Sequence, residues 1–355
     1  MNSVTPMLKS NRETLWEALP TFLRLSCEPI RLWLENPDVI EIMVNRPGAV
    51  WVEAVGQQGL LSHEVETLTV AAIRRIAEQV ASFTKQSVNE ETPLLSAAMP
   101  HGERFQGVLS PAAPDGGAFS IRKQVISDLR LEDFVAFGAL NDVRVTGPRR
   151  VDADDVSDLD RELSHLLEDT SPEGRMAALK FAVRNAITMV ISGGTSSGKT
   201  TFLNALLKEV PMSERVISIE DTRELKPPQP NHLALLASKG DQGLARVTIQ
   251  DLLEASLRLR PDRLLLGEIR GAEAYSFLQA INTGHPGSLT TLHADSPRGA
   301  FERIALATLQ AGLGLTKAEI MDYARFVVPI VVQLRRVPTR GVAEIYFSKF
   351  KAPPS

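Results

Sequence analysis

The stretch that most constrains this chain runs from Met189 to Thr201: a short apolar segment, a glycine-rich turn, then Lys199-Thr200-Thr201. Gly193-Gly194-Thr195-Ser196-Ser197-Gly198-Lys199-Thr200 fits G-x-x-x-x-G-K-[ST] at every fixed position. Glycines let successive backbone N–H groups turn inward around phosphate oxygens, and the following helix adds the positive end of its dipole. In such a loop Lys199 reaches the β- and γ-phosphates and the Thr200 hydroxyl ligates magnesium. The pattern needs a strand before it and a helix after it. Thr188 to Ser192 reads as a buried strand, and Phe202 to Leu207 as a helix. The expected nucleotide contacts are therefore Gly193, Gly194, Thr195, Ser196, Ser197, Gly198, Lys199, Thr200 and Thr201.

A chain of 355 residues exceeds what one core usually supports, so two domains are expected. A net charge of −4 gives no global sign of nucleic-acid binding. The single cysteine, Cys27, excludes an internal disulfide framework and a cysteine-based zinc cluster, and reads as a partly buried thiol. Met1 to Pro6 shows no basic segment leading into an apolar core. The longest charge-free stretch, Ala274 to Ala294, is broken by Asn282, Gly284, His285, Pro286 and Gly287, so it does not read as a membrane helix. A cytoplasmic protein with at most a peripheral membrane role is the expectation.

The first half reads as a mixed α+β domain. Val39 to Val44 and Val50 to Glu53 read as strands flanking the turn Asn45-Arg46-Pro47-Gly48. Ile73, Ile76, Ala77, Val80 and Phe83 fall on one helical face between Thr69 and Thr84. Glu103 to Leu109 and Ala118 to Lys123 read as further strands, bearing Arg104 and Arg122. On composition alone both arginines read as solvated strand residues. From about Leu140 to Arg175 acids crowd the chain, and apolar periodicity survives only at Leu159, Leu163, Leu166 and Leu167. The reading is an N-terminal domain over 1–140, a linker with one amphipathic helix over 141–170, and a second domain over 171–355. Ser171-Pro172-Glu173 supplies the cap and first turn of that domain's opening helix.

After the loop, strands and helices alternate as in a parallel sheet with crossover helices. Val216 to Ile219 ends in Glu220-Asp221, Leu264 to Gly267 ends in Glu268, and Leu289 to Leu292 ends at His293. Open α/β sheets bind ligands at the carboxyl edge of their strands. One such acid alone reads as a helix cap. Two of them after apolar strands downstream of a phosphate loop read as magnesium ligand and water-orienting base. His285 and His293 lack metal-ligand spacing and read as polar sensors of bound phosphate.

With these motifs in order, the chain resembles the type II/IV secretion ATPase superfamily, most closely the traffic ATPases of type IV secretion and conjugation. The matching segments are the loop, Val216 to Leu225 as the Asp box, Leu264 to Gly271 as the Walker B segment, and Gly284 to Asp295 as the His box. The likeness is dense from Val190 to Arg303 and thins to scattered signals in the first half. It implies a RecA-like ATPase domain behind an α+β domain, assembled as a homohexamer with ATP and Mg2+ bound between the two domains. By motif position Arg104 and Arg122 match family arginines that contact the terminal phosphate.

The function so implied is magnesium-dependent ATP hydrolysis by a hexameric motor at the cytoplasmic face of the inner membrane. Its partners would be secretion-machine components and other secretion ATPases, with protein or DNA–protein cargo handled indirectly. Lys199, Glu220, Glu268, His293, Arg104 and Arg122 are the expected catalytic set, with Thr200 and Glu268 on the metal. Whether Glu220 or Glu268 is the base stays open. The alternatives are a type IV pilus or type II secretion motor and, further off, a RecA-like nucleic-acid motor. Type II secretion members usually carry a four-cysteine zinc module, which Cys27 alone cannot form. A nucleic-acid motor calls for a basic, aromatic-bearing groove, against an aromatic content of 5%.

Overall fold

Alternating apolar residues build the first half of the chain. In the computed structural model, residues 15–350 are described apart from 56, 58, 101, 124–127, 149–150, 152–155, 238–246, 313 and 338. The chain divides into two compact units, the first running to Val125 and the second starting at Ile126. The first holds strands β1 (Val39–Arg46), β2 (Ala49–Ala54), β3 (Leu61–Glu64), β4 (Leu94–Ala98), β5 (Arg104–Val108) and β6 (Ala118–Arg122). They form one antiparallel sheet in the order β3-β2-β1-β6-β5-β4.

One face of this sheet carries the core. Val39, Ile42, Val44, Phe105 and Ile121 meet Ile73, Ile76, Ala77 and Val80 of the helix Val70–Phe83. Thr69 caps that helix by accepting from Ala72 N at 3.2 Å. Phe83, expected on the buried face, instead ends the helix exposed. Two short helices that sequence periodicity missed, Thr21–Ser26 and Arg31–Glu35, close the core with Leu23, Trp33 and Leu34. Lys123 Nζ holds the second in place, donating to Trp33 O, Leu34 O and Asn36 O at 3.1, 2.9 and 2.6 Å. These groups are carbonyls at the end of a helix, which lack intrahelical donors.

The second unit adds β7 (Arg144–Thr146), β8 (Met189–Gly193), β9 (Val216–Glu220), β10 (His232–Leu236), β11 (Arg263–Ile269), β12 (Leu289–Leu292), β13 (Ile330–Arg335) and β14 (Gly341–Phe347). Their order is β10-β9-β11-β12-β8-β13-β14-β7, parallel throughout except for the β13–β14 hairpin. Both β8 and β9 are buried along their whole length, as strands covered on both faces must be. Met189 and Ile191 face one core with Leu179, Val183, Phe202 and Leu206, while Val190 faces another with Phe277, Phe301 and Ile304. Leu131, Leu140, Val143, Leu163 and Leu167 join the first of these cores. The amphipathic helix expected near there is Asp158–Glu168, with Leu163 and Leu167 buried and Leu159 exposed.

Arg263 ties these elements together at the amino-terminal edge of the sheet. Its guanidinium is 1% exposed, pairs with both oxygens of Glu214, and donates to Val183 O at 2.6 Å. Among the described residues no helix is long and apolar enough to cross a membrane.

Candidate nucleotide site

The loop leaves β8 and enters the helix Lys199–Leu207 through Gly198, whose φ of +91° suits glycine and strains other residues. Ser196 also lies in the left-handed region, at φ +59°. Gly194 and Thr195 are exposed, Ser197 is buried, and Thr200 and Thr201 are half-buried at the start of the helix. The buried Lys199 bends back over the loop. Its Nζ donates to Gly193 O at 2.9 Å and Gly194 O at 3.0 Å, and lies 3.3 Å from His293 Nδ1.

Strand order then decides which side chains meet. β9, β11 and β12 lie consecutively beside β8, so the residues at their carboxyl ends stand in one line next to the loop. His293 follows β12 and presents Nε2 to Glu268 Oε1 at 3.2 Å. Glu268 Oε2 meets Arg270 Nη2 at 3.0 Å, and Arg270 Nη1 meets Asp221 Oδ2 at 2.6 Å. A continuous run of polar contacts thus links Lys199, His293, Glu268, Arg270 and Asp221. The Nδ1 facing an ammonium must carry a lone pair, so the hydrogen sits on Nε2 toward the carboxylate.

Glu220 turns inward. It is 3% exposed, and its Oε1 accepts from Glu224 N at 2.8 Å and Leu225 N at 2.9 Å. Its Oε2 is buried with no hydrogen-bond partner among the described residues. Burial, opposed by those two N–H bonds, pushes this carboxyl up to about 7. Gly267 on the neighbouring strand makes room for it, since a Cβ there would lie 3.1 Å from Glu220 Cγ. The carboxylate that reaches the loop helix is that of Glu224, whose Oε2 accepts from Thr200 Oγ1 at 3.1 Å. Asn204 pins the same turn, donating to Glu224 O at 3.0 Å and accepting from Lys226 N at 2.8 Å. Sequence reasoning gave Glu224 no role although it lay inside the Asp box. Its spacing from Glu220 was visible, but its pairing with Thr200 is a matter of fold.

His285 is a correction. It precedes β12, near the level where Leu289 pairs with Met189, and so lies at the amino-terminal edge of the sheet, away from the loop. Its Nδ1 is 2.9 Å from Ala280 O near the end of the helix Glu273–Asn282. That is a helix-ending contact, and the expected role as phosphate sensor is withdrawn for this residue.

Arg104 and Arg122 belong to the first unit, where they are direct cross-strand partners on β5 and β6. Arg122 also faces Glu41, and Glu41 faces Glu53, so Glu53, Glu41, Arg122 and Arg104 form one row across four strands. Burial, with Glu53 adding to it and Arg122 opposing, holds the Glu41 carboxyl above its ordinary range.

Magnesium takes oxygen ligands and usually keeps waters and phosphate oxygens alongside one or two carboxylates. The Thr200 hydroxyl and the carboxylates of Glu224 and Glu268 are donors of that kind. Among the described residues no three His, Cys, Asp or Glu side chains form a cage made by protein alone.

Comparison with known proteins follows the same lines. The chain is 35% identical over 351 residues to the type IV secretion system protein VirB11 of Bartonella henselae, covering 97% of this chain and 98% of that one. It is 37% identical over 340 residues to the VirB11 protein of Bartonella quintana, with coverages of 91% and 92%. The X-ray structure of the Legionella pneumophila ATPase DotB superposes with a TM-score of 0.55 at 16% identity, covering 92% of this chain and 80% of that one. At that identity the likeness speaks for the fold: an α+β domain followed by a RecA-like P-loop domain. The family model for type II/IV secretion system proteins matches residues 25–321. That match takes in all four motifs and most of both units, and the chain belongs to the type II/IV secretion system protein family.

Proposed function

We propose that this protein is a magnesium-dependent ATP hydrolase that powers a type IV secretion system as a homohexamer at the cytoplasmic face of the inner membrane. The observation that carries the reading is the line from Lys199 through His293 to Glu268, at the carboxyl edge of the parallel sheet. The enzyme is an ATPase. Lys199 and the loop amides from Gly193 to Thr201 hold the β- and γ-phosphates, and an ammonium there stabilises charge as it develops on the transferred group. Thr200 and Glu268 hold magnesium, which when bound neutralises phosphate charge. His293, poised between Lys199 and Glu268, registers the terminal phosphate.

For the water-orienting base we propose Glu224 in place of Glu220. The support is their surroundings. Glu220 is buried and bonded to two backbone N–H groups, whereas Glu224 is half-buried and touches the Thr200 hydroxyl. Arg104 and Arg122 are proposed to contact the terminal phosphate on the strength of the family resemblance, and their pairing across β5 and β6 gives them one common face. The secretion role rests on the relatives' names, and an association with inner-membrane components of the machine and its other ATPases rests on the family resemblance.

The test is phosphate release by the purified oligomer in the presence of Mg2+. Lys199→Ala is expected to abolish it. Glu224→Gln is expected to lower kcat by about 10²–10⁴ while nucleotide still binds, with Glu220→Gln affecting it far less. A parent protein that assembles yet releases no phosphate, or an unimpaired Lys199→Ala protein, sinks the reading.

A further inference from the structure

Arg270 lies one residue beyond β11 and no role has been assigned to it. We propose that it is a positioning residue. Its guanidinium bridges the carboxylates of Asp221 and Glu268 at the ends of two adjacent strands, and so sets Glu268 in the orientation that meets His293 and the metal. The inference rests on the hydrolase reading above.

Two observations and one electrostatic argument carry it. The two guanidinium nitrogens part company, Nη1 to Asp221 Oδ2 and Nη2 to Glu268 Oε2, so that one cation fixes two acids from different strands. A planar guanidinium that stays charged is suited to that bridge, and the single point charge of lysine is not. Second, the acids would otherwise repel each other beside a site meant for a polyphosphate. Third, the turn does not need the side chain. Arg270 N and Gly271 N both donate to Glu273 Oε1, at 2.6 and 2.8 Å, which holds the backbone into the helix Glu273–Asn282. The Arg270 side chain is 46% exposed against 18% for Asp221 and 19% for Glu268, so its pairs add less to stability than buried ones would. What remains for it is the orientation of Glu268, whose other oxygen is committed to His293.

The experiment compares the parent protein with Arg270→Met and Arg270→Lys. Steady-state hydrolysis is measured first, then binding of a fluorescent ATP analogue as Mg2+ is raised from zero. Residues that orient metal ligands typically change activity or metal affinity by about 10–100-fold. For Arg270→Met, kcat is expected to fall by that factor with KM for ATP within about threefold. The Mg2+ concentration that half-saturates the tightening of analogue binding is expected to rise about tenfold. Binding without Mg2+ should stay near the parent's, and the thermal midpoint should fall only modestly. Lysine should recover only part of the loss. Parent values of kcat and Mg2+ dependence in Arg270→Met overturn the proposal, as does an equal loss of binding with and without Mg2+. If the methionine variant fails to fold, the lysine variant decides, and full recovery by lysine overturns the two-acid bridge. A parent protein that binds the analogue with magnesium dependence but hydrolyses nothing defeats the hydrolase reading instead, while the binding titration still tests Arg270.

Discussion

Glu220 and Glu224 sit four residues apart in one turn and end in opposite surroundings, and that contrast can be measured. Glu220 has an ordinary value of 4.5 and is raised by burial to about 7 in the fold. Between those values the unfolded chain has already lost the proton that the folded chain keeps, so stability falls as pH rises through the window and stays lower above it. Glu220→Gln keeps an oxygen for the N–H groups of Glu224 and Leu225 and removes the buried charge. It is expected to be more stable than the parent at pH 8 by up to about 3 kcal/mol, taking 1.36 kcal/mol per pH unit, and no more stable at pH 4. Urea denaturation at the two pH values checks this, and a gain of the same size at both would contradict it. The residues named from sequence as a loop, two acids and a histidine do gather at one edge, because each ends a strand and the strands are neighbours. The inward turn of Glu220 was not legible. It depends on the glycine at 267 of the next strand and on backbone N–H groups that converge on the carboxylate only once the turn is made.

Elements close to the loop were readable because their signals are local. An apolar run of strand length, a glycine turn and a helix start are all contained in Met189 to Leu207. The Ser171-Pro172 helix start was visible for the same reason. What stayed hidden is pairing between distant segments: that β8 lies between β12 and β13, and that β7 joins the far edge. The edge strands β3 and β4, short and partly polar, gave no clear alternation either. Arg263 shows what such long-range ties are worth. It joins the start of β11 to Glu214 ahead of β9 and to the end of the helix Pro172–Arg184. Arg263→Met would leave the Glu214 carboxylate and the Val183 carbonyl without this partner. The expected cost is about 3 kcal/mol, since breaking a buried pair strands the remaining charge. It should be seen as a lower denaturation midpoint with little change in KM among molecules still folded.

For the whole molecule, the proposed ring makes predictions of its own. Light scattering should find six copies per particle, and specific hydrolysis should fall on dilution as the ring comes apart. Arg104→Ala and Arg122→Ala are each expected to reduce kcat, with a phosphate-contacting arginine worth roughly 10³–10⁵ in rate, and to leave the fold intact. Single-turnover assays on the assembled variants check this, and parent rates from both would remove the arginines from the site. Their arrangement on one row could not have been read from the sequence. Cross-strand register is set by the whole sheet, and only the finished sheet shows Glu41 and Glu53 continuing the line.

The way Lys199 is held has one more consequence. An ammonium has three protons, and Gly193 O, Gly194 O and His293 Nδ1 all stand around this one. A phosphate oxygen arriving at Nζ therefore exchanges with an acceptor already in place, and the longest of these three contacts, that to the imidazole, is the one most easily given up. The ring so released still has its other nitrogen on Glu268. With Glu268 holding magnesium as proposed, arrival of phosphate at the loop would reach that carboxylate as a ring let go, across a single side chain and with no movement of the sheet.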